Sequence, residues 1–77
     1  MKSYKIEFIS YNQAVLIGRF MLIFSRRRID VTNFGFQKIN EEDGLFSIEF
    51  NSDEWQAQNI LKQVNKQIDV FSAKLIN

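Results

Sequence analysis

Across Ser3–Ser10, Tyr4, Ile6 and Phe8 alternate with Lys5 and Glu7, the two-residue period of a strand with one buried and one mostly solvated face. After a turn at Asn12 and Gln13 the period changes. From Ala14 to about Arg27 the apolar residues fall at helical spacing: Ile17, Phe20, Met21 and Phe24 make one stripe, flanked by Leu16 and Ile23. Arg26, Arg27 and Arg28 close this helix at the end where positive charge interacts favourably with its dipole. Ile29–Ile39 is β-branched and aromatic and predicts a second strand. Val31, Phe34 and Phe36 cannot all face inward in a regular pleat, so a bulge near Thr32–Asn33 is needed to restore the phase. An acidic turn, Asn40–Gly44, leads into a third strand over Leu45–Phe50, with Phe46, Ile48 and Phe50 on one side, giving a hairpin. Asn51 paired with Glu54, or Ser52 as the rival cap, opens a second helix that runs to about Lys66 on a stripe of Ala57, Ile60, Leu61 and Val64. Ile68–Ile76 predicts a last strand with Phe71, Ala73 and Leu75 on one face.

The order βαββαβ with short connections predicts one α+β domain over residues 1–77. Its plan is ferredoxin-like: a four-stranded antiparallel sheet with two helices on one face. The uncovered face would show Lys5, Glu7, Ser47 and Glu49. The first helix has more apolar surface than this sheet can cover. Val15, Gly18 and Leu22 lie opposite its stripe, and only Arg19, Ser25 and Arg26 keep that side polar. Gly18 costs roughly 1 kcal/mol relative to Ala in a helix interior, which close approach of another backbone would explain. The expectation is that this side packs against a second chain; the alternative is an ordinary greasy surface.

Composition sharpens that expectation. A 77-residue chain builds only a small core, and with no Cys and no His it has neither disulfides nor thiolate or imidazole metal sites to reinforce it. Association remains. A net charge of +1 creates no field that would gather nucleic acid or anionic membrane. The apolar stretch Ala14–Phe24 is broken by Gly18 and Arg19, so neither a membrane span nor a secretion signal fits, and a cytoplasmic chain is expected. No nucleophile–base pair, Gly-rich phosphate loop or metal-ligand set is visible, so no catalytic residue is assigned. Glu41, Glu42 and Asp43 read as a solvated loop, and Arg26–Arg28 as helix-end charge with phosphate binding as the rarer alternative. Phe46–Phe50 could be the aromatic strand of an RNA-binding sheet, but its phase turns the rings toward the helices and leaves Glu7 and Glu49 on the open face. The unpaired N–H groups at the start of the first helix could hold a small anion such as an amino-acid carboxylate.

Two stretches of wording carry more. Asn12-Gln13-Ala14-Val15-Leu16-Ile17-Gly18-Arg19 followed by Phe24-Ser25-Arg26-Arg27-Arg28-Ile29-Asp30-Val31 resembles the ACT-domain segment of acetolactate synthase small subunits, roughly N-x-P-G-x-L-x-R, four residues, then F-S-x-R-G-x-N-[IV]. Ile60, Lys62-Gln63-Val64, Lys66 and Ile68-Asp69-Val70 are similar to that family's I-x-K-Q-L-x-K-L-x-D-V, without a gap. The resemblance implies a noncatalytic regulatory subunit in branched-chain amino-acid biosynthesis. It would form a homodimer through the first helix and second strand, with Val15, Gly18, Arg19, Leu22 and Asn33 at the interface. It would also attach to a large subunit carrying thiamine diphosphate, FAD and Mg, with no cofactor of its own. A branched-chain amino acid would sit at the dimer interface, against Asn12, Gln13, Ala14 and Val15 of the turn and Asp30 and Val31 of the second strand. This chain has Ala14-Val15 where the family has Pro-Gly, and Asp30 where it has Asn. Val15 thus adds a branched side chain at the effector position, and Asp30 a carboxylate near the ligand's own. A single ACT unit resembles the short, feedback-insensitive kind that mainly supports the catalytic subunit. A free-standing amino-acid sensor dimer is the alternative from another class, and single-strand RNA binding a third.

Overall fold

Alternation in the first residues is realised as β1 (Lys2–Tyr11), with Tyr4, Ile6, Phe8 and Ser10 buried and the odd-numbered residues on the other face. The computed structural model describes residues 1–11, 14–67 and 70–76, and of 14–16 only the backbone. β1 is followed by α1 (Ala14–Arg26), β2 (Asp30–Lys38), β3 (Asp43–Ser52), α2 (Glu54–Asn65) and β4 (Val70–Ile76). The strands form one antiparallel sheet in the order β2-β3-β1-β4, so each helix carries the chain across an intervening strand. Phe20 and Phe24 of α1 share one core with Ala57, Ile60 and Val64 of α2 and the inward residues of β1 and β3, so both helices cover the same face. This is the ferredoxin-like plan expected from the pattern.

Aromatic rings hold the layers together. Phe8 and Phe46 lie directly opposite each other on β1 and β3, their rings stacked at 5.1 Å. Phe20 descends from α1 onto both, at 4.6 and 5.3 Å, and Phe24 meets Phe50 at 5.2 Å. From β2, Phe36 reaches Phe46 at 4.9 Å and Phe34 at 6.2 Å. The β2–β3 register shifts between Val31 and Asn33, leaving Thr32 as the extra residue. The bulge is where the sequence required it, and it lets Val31, Phe34 and Phe36 all turn inward. Gly44 is the counterpart on β3. A Cβ there would stand 2.7 Å from Cζ of Phe36 and closer still to its Cε1, so the missing side chain is what admits the ring.

Element ends differ from the sequence reading in three places. The hairpin turn is shorter than Asn40–Gly44, because Asp43 and Gly44 already pair with Tyr11 and Ser10. Asn40 organises the turn, its Oδ1 accepting the N–H groups of Glu42 and Asp43, each at 2.8 Å. The cap of α2 is neither Asn51 nor Ser52. Both extend β3, with Ser52 buried in the inward phase, and Asp53 caps instead, its Oδ1 accepting the Gln56 N–H at 2.7 Å. In β4, Ala73 and Leu75 pack on the core as expected, but Phe71 does not. The β1–β4 register shifts there, Val70 takes the inward place, and Phe71 emerges on the open face against Tyr11. Ile68 and Asp69 lie outside the described residues.

α1 ends in a Schellman motif: Ile29 N–H bonds Phe24 C=O and Arg28 N–H bonds Ser25 C=O, each at 3.1 Å. Arg28 therefore occupies the left-handed position, at φ 54°. That is the place where the pattern F-S-x-R-G-x-N carries Gly. Arg28→Gly should gain about 0.5–1 kcal/mol in urea denaturation, the left-handed penalty being partly offset by the freedom Gly gives the unfolded chain. Gly44→Ala should lose about 1–3 kcal/mol by overpacking Phe36, and parental stability would show that the ring swings aside freely.

Candidate functional site

α1 lies over β1 and β3 through Phe20 and Phe24, whereas α2 lies over β4 and β1. β2 is thus left outboard of the helix layer. Its inner rings show the consequence: Phe34 is half-buried, and Phe36 is 40% exposed although it belongs to the core's aromatic chain. Among the described residues no strand pairs with the outer backbone edge of β2. On the far side of α1 from its stripe, Leu22 is 48% exposed, and a Cβ added to Gly18 would meet nothing within 4 Å. The described residues therefore supply no packing reason for a glycine there. An open edge, uncovered rings and an exposed apolar helix face together make the strongest candidate surface, of the apolar kind that suits association.

Of the interface residues expected, Gly18, Arg19 and Leu22 are exposed on α1, and Asn33 is exposed on β2, donating from Nδ2 to Glu49 Oε2 at 2.8 Å. The effector residues are divided. Asn12 and Gln13, and the side chains of Ala14 and Val15, lie outside the described residues. Asp30 stands opposite Asn51, which stands opposite Ser3, at the start of β1; the turn into α1 follows Tyr11 at its other end. At the usual strand rise these ends are about 27 Å apart. Asp30 Oδ2 accepts from Asn51 Nδ2 at 3.3 Å and Ser3 Oγ donates to Asn51 Oδ1 at 3.0 Å, a polar row across three strands. Val31 is half-buried beneath it. One chain does not bring Asp30 to the first turn of α1.

The open face of the sheet has two characters. Glu7 sits between Lys5 and Lys74, at 3.4 and 3.7 Å, with Glu49 nearby on β3. Toward the other end, Tyr11 meets Phe71 edge to face at 5.0 Å, and a shallow depression of about 460 Å³ is lined by Glu7, Ile9, Leu45, Ser72 and Lys74 among others. Tyr11 follows from the odd phase of β1, but the Phe71 partner was hidden, because Phe71, Ala73 and Leu75 alternate perfectly in sequence. Phe46, Ile48 and Phe50 are fully buried on the helix side, so their rings are closed to stacking by a base. Among the described residues no group of three or more acidic side chains is arranged to hold a metal ion, the Glu41–Asp43 run included. No helix among them is long and apolar enough to cross a membrane.

No family model and no curated protein matches the chain. Solved structures do. The acetolactate synthase small subunit from Thermotoga maritima superposes with a TM-score of 0.85 at 15% identity, over 100% of this chain and 48% of that one. The chain thus spans about half of that subunit. The ACT domain from GTP pyrophosphokinase of Chlorobium tepidum gives a TM-score of 0.78 at 8% identity, covering 96% of both chains. The C-terminal domain of the MgtC protein from Mycobacterium tuberculosis gives 0.69 at 10% identity, covering 95% of this chain and 83% of that one. The fold is the ferredoxin-like arrangement that ACT domains adopt.

Proposed function

We propose that the chain is a noncatalytic small subunit of acetolactate synthase. In this reading it pairs with itself through α1 and β2 and supports a large subunit that holds the thiamine diphosphate, FAD and Mg. The observation that carries the reading is the coincidence of two likenesses over the same residues. The wording Asn12–Val31 and Ile60–Val70 resembles that family, and the Thermotoga small subunit matches the whole chain at a TM-score of 0.85. The uncovered flank of α1 and β2 supports the pairing. With Ala14-Val15 in place of Pro-Gly the turn offers an amino-acid effector less backbone, and Asp30 in place of Asn, brought to that turn only by a second copy, offers less favourable charge. Support of the catalytic subunit, in the cytoplasm, is therefore the role proposed, with feedback inhibition by valine weak.

Mixing the chain with its cognate large subunit should raise acetolactate-forming activity several-fold. Unchanged activity would reject the role, and a rise in melting temperature with valine, leucine or isoleucine in that case would favour a free-standing sensor. Leu22→Glu would bury an unpaired carboxylate in the proposed pairing, which costs several kcal/mol, so the dimer Kd should rise roughly 100-fold. Sedimentation equilibrium indistinguishable from the parent would remove α1 from the interface.

A further inference from the structure

We infer that the aromatic end of the open sheet face, formed by Ile9, Tyr11, Leu45 and Phe71, is where the large subunit docks, through an apolar side chain flanked by Lys or Arg. The inference rests on the role proposed above and adds the surface used and the chemistry of the partner that fits it.

A bulge is the first observation. Phe71, Ala73 and Leu75 alternate in sequence, and a regular β4 would bury all three. The register with β1 instead shifts between Ile9 and Ser10, Val70 takes the inner place, and the larger ring is turned out to 51% exposure. A small core gives up a phenylalanine here and holds it edge to face on Tyr11, itself 41% exposed, with centroids 5.0 Å apart. Two rings already seated against each other lose little freedom when a partner covers them, which is the property of an interface anchor. Beside them Ile9 and Leu45 stand directly opposite on β1 and β3 and line the shallow depression of about 460 Å³. Its size admits an apolar side chain from outside.

Charge chooses the occupant. On one side of the patch the charges are already matched: Glu7 sits between Lys5 and Lys74, and Glu49 accepts from Asn33. On the other side Asp43 pairs with Tyr11 in the ladder, and the turn before it adds Glu41 and Glu42, which make no ion pair among the described residues. Asn40 fixes the shape of that turn through the N–H groups of Glu42 and Asp43. This rim favours a basic surround on the partner and disfavours nucleic acid and anionic lipid. A second copy set face to face over the same patch would ring it with two acidic turns, like charge against like. The other apolar surfaces are committed elsewhere or isolated. The flank of α1 and β2 goes to self-pairing in the proposed role, and Trp55, 72% exposed at the start of α2, has the polar Gln58 and Asn59 beside it on the helix.

The test titrates the cognate large subunit and reads the concentration of this chain that gives half-maximal activation. Phe71→Ser and Glu41→Lys/Glu42→Lys should each raise that concentration about tenfold or more. Trp55→Ser, which removes a more exposed ring on the helix side, should leave it unchanged, and all three should sediment like the parent. Because the chain has no cysteine, Ser72→Cys places a single thiol in the depression. A bulky maleimide attached there to the folded protein should cut activation relative to the unlabelled form, whereas the same label on Gln58→Cys should not. Parental activation by Phe71→Ser and by labelled Ser72→Cys overturns the docking surface and leaves the proposed role standing. A parental assembly larger than a dimer that Phe71→Ser reduces, with activation untouched, gives the face to a second copy and overturns the docking likewise. A parent that never activates the large subunit removes the role itself, and the docking with it.

Discussion

The Phe46 ring is the interaction on which the remainder of the structure depends. It is fully buried and touches rings from three other elements: Phe8 of β1, Phe20 of α1, and Phe34 and Phe36 of β2. In so small a chain a single aromatic cluster must do what several layers of aliphatic side chains do in a larger domain. The cluster also imposes demands on the backbone around it. Phe34 and Phe36 reach it only because Thr32 bulges, and Phe36 finds room only because Gly44 has no side chain.

That cluster is not centred under the helices. α1 caps its middle, α2 covers the β4 side, and the rings of β2 extend it past the edge of the helix layer. A core that continues to a free strand edge is incomplete in one direction. The same asymmetry leaves Leu22 and Gly18 uncovered above it, although nothing in the packing of the described residues calls for apolar character or for glycine there. This lopsidedness supports the pairing part of the functional reading, whose main support is the likeness in wording and in fold.

Most of the architecture was legible because its signals are redundant. The β2 bulge could be read since Val31, Phe34 and Phe36 conflict with a regular pleat, and a conflict is visible. The β4 bulge could not, because Phe71 fits the alternation of Ala73 and Leu75 and only the pairing with β1 displaces it. Asp53 was passed over as a cap for a related reason: Asn51 and Ser52 are equally good caps locally, and the strand claimed both for its ladder and its inward phase. The left-handed Arg28 was concealed by a residue type that disfavours that conformation, though the neighbouring Schellman bonds demand it. For the effector residues the limit is geometric. Asp30 and Tyr11 flank one helix, yet that helix spans the sheet and they lie at opposite ends of it.

Charge shows the same gap between composition and arrangement. A balance of ten basic against nine acidic residues says only that the molecule has little net field. It cannot show that β2 separates a basic triplet from an acidic one by the length of the sheet. An edge with opposite charges at its two ends is polarised along its own direction. For such an edge, antiparallel self-association lowers electrostatic energy at both ends, and parallel association raises it at both. Were a second copy to approach along this edge, charge would restrict its orientation before any apolar surface is buried.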